Sequence, residues 1–223
     1  MADFFQLFMD SFPALMDGLG VTIMLTVISI ILGTVLGIFL SLGKVYGSKI
    51  VSGVITVFIE LIRGTPLLAQ LFILYFGLPP YGIRLPALAV ALIGFTINSG
   101  CYQAEYLRGS IQSVSSGQIR AALSIGMTKW QGIRYIVLPQ ALRRVIPSWT
   151  NEFIYLLKYT SLAYIIGAPE MMTQAKFIAS RNYEFFKVYL IVALIYLVIV
   201  LFFTQLFKWL ENKVKIPGFE YIR

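Results

Sequence analysis

The sequence predicts an all-α integral membrane protein with five transmembrane helices and a helical cytoplasmic loop between the third and the fourth. Composition is the first observation, since 58% of the 223 residues are hydrophobic, 13% are charged and the mean hydropathy is +0.81. Soluble domains carry about 25% charged residues. Run length is the second, because residues 21–42 contain no charge and a span needs about 20 apolar residues. The third is a basic segment, residues 118–144, between two apolar runs.

The apolar runs divide the chain in order. The predicted spans are residues 18–43, 51–78, 86–106, 145–166 and 187–207, with a Pro- and Gly-rich turn at 78–86 and a polar connection at 167–186. They give one transmembrane domain (18–207, with the loop at about 109–144), an N-terminal segment (1–17) and a C-terminal tail (208–223). Glu60 and Arg63 in the second span are predicted to pair as i, i+3 neighbours. Gly33 and Gly37 permit close approach of another helix, which can equally be one of the chain's own spans.

Residues 1–17 are predicted to form an amphipathic helix lying in the membrane interface. Asp3, Asp10 and Asp17 are spaced by seven among phenylalanines, which gives one acidic and one aromatic face. The segment lacks the basic region of a signal peptide. The alternative interpretation is an amphipathic leader with no role.

The net charge of +8 indicates membrane orientation rather than nucleic-acid binding, because the basic residues lie mostly between the apolar runs. Most fall in the 44–49 loop, the 108–144 region and the tail, so the positive-inside rule places the N-terminus outside and the C-terminus in the cytoplasm. There is no histidine, which excludes imidazole chemistry. The single Cys101 cannot form an internal disulfide.

The basic loop is predicted to form two helices. Ala121, Ala122 and the following leucine are strong helix formers, and Gly126 suits the left-handed residue that ends a helix. Thr128 and Gln131 have the spacing of a capping box that opens a second helix. Its apolar side is predicted to hold Trp130, Ile133 and Val137, and Pro139 is predicted to end it and turn the chain back to the membrane. This apolar stripe needs cover, either from a partner or from the chain's own spans.

The same residues resemble a known family. Ala121-Ala122, Gly126 and the ending Ile136-x-Leu138-Pro139 resemble the EAA loop of ABC importer permeases, which is a coupling helix docking into a groove on an ATPase subunit. Three further motifs resemble the polar amino acid permeases of that family: residues 60–68 (ELIRGTPLL), 98–108 and 151–162. The motifs run in order from about residue 20 to residue 207. The resemblance implies a type I ABC importer permease fold.

By this resemblance, the residues that couple to the ATPase are Arg120, Ala121, Ala122, Gly126, Leu138 and Pro139. Two positions depart from the family pattern. Arg120 stands where relatives have a glutamate that meets a basic residue on the ATPase, so either the partner surface is acidic there or Arg120 faces lipid headgroups. Tyr159 stands where relatives often have an acidic residue, which weakens the case for a cationic amino acid as substrate.

Two polar stripes at helical spacing indicate a pathway between helices. Asn151, Tyr155 and Lys158 share one face of the fourth span, and Asn98, Tyr102 and Glu105 share one face of the third. The predicted substrate-binding residues are Asn98, Ser99, Tyr102, Asn151, Lys158, Thr160 and Ser161. A lysine inside a span costs about 2.5–3.5 kcal/mol, so it faces a cavity or a partner. Lys158 is predicted to balance a substrate carboxylate, and the alternative is a structural ion pair with Glu152 or Glu105.

The predicted function is that of the membrane subunit of an ATP-driven importer for a polar amino acid. The chain has no phosphate loop, since residues 37–45 have the wrong spacing and lie mostly in a span, so it is not expected to be an enzyme or to hold a cofactor. ATP and Mg²⁺ are expected on a separate ATPase. The resemblance implies two such ATPases, a second permease chain that is identical or related, and an extracytoplasmic amino-acid-binding protein.

Two rival functions remain. An ion-coupled secondary transporter would use Glu105 and Glu152 as ion sites, but it leaves the basic loop without a purpose. No internal repeat is evident, and the odd number of spans has no equal division into halves, although such transporters often have inverted repeats. A membrane-embedded enzyme lacks a nucleophile beside an evident base.

Overall fold

A computed structural model describes residues 2–214, with side chains from 4 to 213, and over this range it contains helices and no strand. Lys215 and Arg223 of the predicted tail and the side chain of Asp3 lie outside the described residues. The α-helices are α1 (Ala2–Tyr46), α2 (Lys49–Gly64), α3 (Leu67–Phe72), α4 (Ala87–Gln112), α5 (Ser116–Ser124), α6 (Lys129–Gly132), α7 (Leu138–Tyr159), α8 (Met171–Asn182) and α9 (Phe185–Val214). Two π turns (Ile73–Gly77, Ile133–Val137) and two 3₁₀ segments (Pro79–Tyr81, Thr160–Ile166) complete it.

The all-helical membrane fold agrees with the prediction. In the described part of the chain, α1, α4 and α9 are long and apolar enough to cross a membrane. The α2–α3 pair qualifies as a fourth span if it crosses as one unit, although it is bent by 101°. The charged helix α7 does not meet the same criterion, so the count of five spans stays a prediction.

Helix α1 is longer than the predicted first span. It runs without a break through Gly18, so residues 2–17 are not a separate helix, and their place in the membrane interface stays a prediction. Its 45 residues span about 65 Å at about 1.5 Å per residue, roughly twice the apolar thickness of a bilayer. The N-terminal part packs against α8 and α9 around the buried Leu15, Met171 and Ile191.

The predicted second span is broken at Thr65 and Pro66. Pro66 has no N–H to donate and forces the preceding residue into extended backbone, which Thr65 adopts at φ −114° and ψ 146°. Gln70 Nε2 donates to the carbonyl oxygens of Ile62 (2.7 Å) and Thr65 (3.1 Å). The side chain of Gln70 thus satisfies groups that the broken helix leaves free.

Helices α1 and α4 pack closely against each other at two glycines of α1. A Cβ at Gly37 would lie 3.1 Å from both Ala104 N and Gly100 O, and one at Gly33 would lie 3.2 Å from Gly100 N. The predicted close approach at these glycines is therefore confirmed, and it occurs within the chain itself. This contact fixes α4, which carries part of the predicted site, against α1.

Several predicted boundaries differ from those of the helices. Helix α4 continues to Gln112 and α7 begins at Leu138, so the connecting loop is shorter than 109–144. Helix α9 continues through 208–214, the start of the predicted tail. The polar connection contains α8, whose first turn is capped by the Glu170 side chain, accepting from Met172 N and Thr173 N. Apolar patterning misses this helix because most of its exposed residues are polar, with Phe177 as the exception.

Candidate functional site

The polar stripe predicted on the fourth span is present on α7. Asn151, Tyr155 and Lys158 are all exposed along one face of the helix. Lys158 Nζ lies 4.7 Å from the centroid of the Tyr155 ring, and Tyr155 stacks on Tyr159. Ser161 is partly exposed beyond this face, and its hydroxyl donates to the Lys158 carbonyl at 2.7 Å. The face carries one cation, an amide and two phenols on an open surface.

Two predicted residues of α4, Asn98 and Tyr102, contact side chains on either side of the break between α2 and α3. Asn98 Nδ2 donates to Gln70 Oε1 at 3.3 Å. The guanidinium of Arg63 lies 4.9 Å from the centroid of the Tyr102 ring. The predicted ion pair between Glu60 and Arg63 is wrong, since none forms between these described side chains. Arg63 and Gln70 are polar groups that the sequence did not assign to the site.

Ser99 and Thr160 are buried behind these faces. Ser99 accepts from Gln103 Nε2 at 3.0 Å, and Gln103 Oε1 accepts from the Thr34 hydroxyl at 2.7 Å. Trp149 Nε1 donates to the same Thr34 oxygen at 2.8 Å. This network joins α1, α4 and α7. The Thr160 hydroxyl is bound internally, donating to the Leu157 carbonyl at 2.7 Å. These two predicted residues are thus held in the bundle, away from the open face.

The structural alternative for Lys158 is wrong. Glu105 binds other cations, Lys44 Nζ at 2.7 Å and Arg108 Nε at 2.9 Å. The buried Glu152 instead accepts from the Tyr106 hydroxyl at 3.5 Å. Among residues 4–213, no carboxylate lies within 4.0 Å of Lys158 Nζ. The ammonium is therefore available to an anionic group from outside the chain.

The loop between α4 and α7 has the predicted turn chemistry. Gly126 has φ +86° and follows α5, and its freedom from a Cβ is what permits this left-handed turn. The Thr128 hydroxyl accepts from Gln131 N, and the Gln131 side chain accepts from Thr128 N at 2.7 Å. The predicted capping box is confirmed. The result is a helical hairpin that joins the bundle through a small cluster around Ile111, Val114, Val137 and Ala141.

The residues predicted to couple to an ATPase lie in three different settings: exposed on α5, inside the hairpin, and at the start of α7. Arg120 and Ala121 are exposed on α5. Ala122 is buried against Gly132, whose added Cβ would lie 3.4 Å from that of Ala122, so the small residues allow α5 and α6 to cross closely. Gly126 shapes the turn. Leu138 and Pro139 lie at the start of α7, beyond the hairpin.

One prediction about the second loop helix is wrong. Pro139 does not end it, because the helical path continues through the Ile133–Val137 π turn into α7. In that turn Leu138 N donates to Ile133 O, five residues earlier, and this wider hydrogen-bond register leaves room for the ring of Pro139, which has no N–H to donate. Within the predicted apolar stripe, Ile133 and Val137 are covered by the chain itself and Trp130 is exposed. The apolar stripe is therefore divided between an inner and an outer side.

Glu170, in the connection before α8, is a buried carboxyl outside the predicted spans. Burial raises its pKa to about 7, although the N–H groups of Met172 and Thr173 oppose the shift. These two N–H groups lie 2.9 and 2.8 Å from its oxygens. Its position as a helix cap assigns it to the structure of this region rather than to the polar face of α7.

Comparison with known proteins adds a family match. A sequence profile of the family described as binding-protein-dependent transport system inner membrane component matches residues 33–216. The chain is 41% identical over 191 residues to the probable amino-acid ABC transporter permease protein YckA of Bacillus subtilis, covering 86% of this chain and 84% of that protein. It is 36% identical over 206 residues to the glutamine transport system permease protein GlnP of Escherichia coli, covering 92% and 94%.

Solved structures have the same fold. A chain of an amino acid ABC transporter with histidines has a TM-score of 0.85 and 38% identity, covering 92% of this chain and 96% of that chain. A chain of the methionine ABC transporter MetNI, in an inward-facing conformation, has a TM-score of 0.75 at 19% identity, covering 91% and 97%, which is a likeness of fold alone. Both similarities extend over most of the chain.

Proposed function

Because the chain belongs to the family of binding-protein-dependent transport system inner membrane components, we propose that it is the permease subunit of an ATP-driven importer that carries a polar amino acid across the cytoplasmic membrane. One structural observation carries this proposal: a capped helical hairpin projects from a membrane bundle with large apolar side chains uncovered. The cargo class is supported by relatives whose names specify amino-acid or glutamine transport.

Energy enters through the hairpin. The chain has no phosphate loop, so ATP and Mg²⁺ bind to a separate ATPase, and the hairpin transmits the movement of that ATPase to the bundle. Because α6 continues through the π turn into α7, a displacement of the hairpin acts directly on the helix that carries the exposed polar face. Arg120 and Ala121 contact the ATPase, whereas Ala122 and Gly126 give the hairpin its shape.

The substrate passes along the polar face of α7. Lys158 balances the substrate carboxylate, and Asn151 and Ser161 bind its polar groups. Tyr102 on α4 completes the pathway beside the α2–α3 break, and the buried Asn98, which donates to Gln70, reaches the pathway only if this hydrogen bond opens. Ser99 and Thr160, which are buried, hold the helices in position behind it. These groups bind and orient the substrate, and no covalent chemistry is required of them.

The polar face is open in the single chain, and a second permease chain closes it. The complete importer has two permease chains, two ATPase subunits and an extracytoplasmic binding protein that delivers the amino acid. In this assembly the hairpin and the C-terminus lie in the cytoplasm and the N-terminus lies outside, as the distribution of Lys and Arg indicates.

The geometry does not favour an ion-coupled transporter. Glu105 is held by Lys44 and Arg108, so it has little capacity to release its partners for a transported cation. Glu152 is buried and accepts from Tyr106. Neither carboxylate is open to the polar face of α7.

The test is uptake by the complete complex in proteoliposomes, with ATP supplied on the ATPase side and the binding protein on the other. Lys158→Ala is expected to lower uptake of a labelled polar amino acid by about tenfold or more, since a charged hydrogen bond contributes about 1.5–3 kcal/mol. Assembly and basal ATP hydrolysis should remain. The control is Lys176→Ala, because Lys176 is exposed on α8 and also lies over an aromatic ring, at 5.8 Å from the centroid of Tyr164.

Two outcomes would contradict the proposal at different levels. Unchanged uptake by Lys158→Ala would remove Lys158 from the pathway but leave the permease assignment in place. Uptake by the chain alone, without ATPase or ATP and driven by an ion gradient, would refute the ABC assignment itself.

A further inference from the structure

The α5–α6 hairpin and the π turn that follows it carry four large apolar side chains that are about half exposed or more. Leu123 is 48% exposed, Ile125 78%, Trp130 66% and Tyr135 64%. Three exposed cations lie on the same segment of the chain. We call these seven residues the hairpin surface: Arg120, Leu123, Ile125, Lys129, Trp130, Arg134 and Tyr135. Several large apolar side chains exposed on one short segment are typical of an interaction site.

The hairpin surface has charge of one sign only. No Asp or Glu occurs in the sequence between Glu105 and Glu152, whereas six basic residues do: Arg108, Arg120, Lys129, Arg134, Arg143 and Arg144. Three of these cations, besides Arg134, have contacts within the chain. Arg108 binds Glu105, Arg144 donates to the Ser113 carbonyl, and Lys129 lies 5.8 Å from the centroid of the Tyr46 ring.

Arg120 and Arg134 are the outward-directed cations of the hairpin surface. Arg134 lies 5.8 Å from the centroid of the neighbouring Tyr135 ring. Arg120 makes no ion pair or ring contact with any side chain among residues 4–213. It lies one helical turn before Leu123 on the exposed side of α5, so a partner that covers Leu123 and Ile125 must also cover Arg120. A guanidinium taken out of water without a carboxylate opposes binding.

We propose that the hairpin surface fits an ATPase subunit whose apolar cleft is bordered by carboxylates, one of which pairs with Arg120. The inference rests on the proposed function and specifies the chemistry of the partner. Leu123, Ile125 and Trp130 fill the cleft, and Arg120 and Arg134 meet its acidic border. Complementary charge of this kind raises the association rate and rejects partners with a basic border.

The test uses the permease complex in lipid nanodiscs and the ATPase that copurifies with it from the native host. Binding of the separated ATPase is measured at low and high NaCl for the wild type, Arg120→Glu, Arg120→Gln and Ile125→Ala. Arg120→Glu is expected to weaken binding at least about tenfold, Arg120→Gln less, and the wild-type affinity should fall as salt rises. Lys49→Glu is the matched control, because Lys49 is an exposed cation at the start of α2 and away from the hairpin surface.

Rescue identifies the partner group. An Asp→Lys or Glu→Lys substitution at the cleft border of the ATPase should restore binding to Arg120→Glu while weakening binding to the wild type. Unchanged or tighter binding by Arg120→Glu, together with weaker binding by Ile125→Ala, would overturn the acidic cleft and retain the docking function. Unchanged binding by both variants would refute docking through the hairpin. A change confined to binding of anionic vesicles would show that Arg120 faces lipid headgroups, which also overturns the inference.

Discussion

Replacing Gly18 with alanine is expected to force α1 away from α8. A Cβ at this position would lie 2.7 Å from Met171 Cα and 2.9 Å from Met171 N, and backbone atoms cannot turn aside as a flexible side chain can. Overpacking a filled contact costs about 1–3 kcal/mol. The shift also lengthens the 3.2 Å hydrogen bond from Met171 N to Thr22 Oγ1, which contributes about 1 kcal/mol.

Gly20 supplies the control within the same helix. Nothing lies within 4 Å of a Cβ added there, so alanine at Gly20 gains only its better helix propensity, about 1 kcal/mol at most. The same gain applies at Gly18 and must be subtracted. The net expectation is a loss of about 2 kcal/mol for Gly18→Ala and a small gain for Gly20→Ala.

The assay measures the thermal midpoint of the detergent-solubilised chain. The midpoint is the temperature at which half of the monodisperse peak in size-exclusion chromatography is lost after heating. For a chain of this size about 2 kcal/mol corresponds to a shift of about 4–8 °C. Gly18→Ala should melt lower than the wild type and Gly20→Ala at the same temperature or slightly higher. If both variants were equally stable, the close contact between Gly18 and the backbone of α8 would be refuted.

Three further substitutions test other contacts. Glu105→Gln removes the carboxylate that binds Lys44 and Arg108, and should lower stability by about 2 kcal/mol, between the values for exposed and buried ion pairs. Glu60→Gln, an exposed site without an ion pair in the described chain, is its control. Gln70→Leu leaves the carbonyls at the α2–α3 break without their donor and should cost about 1–3 kcal/mol. Glu170→Gln should remove a pH dependence of stability. Burial raises the pKa of Glu170 to about 7, so the folded chain keeps a proton that the unfolded chain releases above about pH 4.3. The free energy of unfolding of the wild type therefore falls as pH rises between these two values.

Each of these predictions is checked by the same thermal assay. Equal midpoints for Glu105→Gln and Glu60→Gln would contradict a stabilising role for the Glu105 ion pairs. A Gln70→Leu variant as stable as the wild type would mean that the freed carbonyls find another donor. For Glu170, midpoints measured from pH 4.5 to 8 should decline more for the wild type than for Glu170→Gln, and parallel profiles would contradict the raised pKa.

The turn chemistry of the hairpin could be predicted because it depends on neighbouring residues only. Gly126 takes the left-handed turn and Thr128 and Gln131 form the capping box, as their spacing predicted. Pro139 could not be interpreted in the same way. Its effect depends on the preceding π turn, which shifts the hydrogen-bond register so that the ring fits inside a continuous helix.

The polar face of α7 could also be predicted from the sequence, because residues three and four positions apart lie on the same side of a helix. The partners of those residues were not. Among the described residues no ion pair forms at Lys158, and Glu105 is bound instead to Lys44. These two residues lie 61 positions apart in the sequence, so no local pattern predicts their contact.

The sequence by itself determined the membrane class, the apolar helices and the chemistry of the hairpin, because composition, run length and short-range spacing act along the chain. Only the tertiary structure decided which charges pair and which small residues are needed. It shows Gly18 against Met171 and Ala122 against Gly132, contacts between segments that meet only when the helices pack. The tertiary structure also decided that Trp130 is exposed and Ile133 is buried, because the burial of a helix face depends on which segments pack against it.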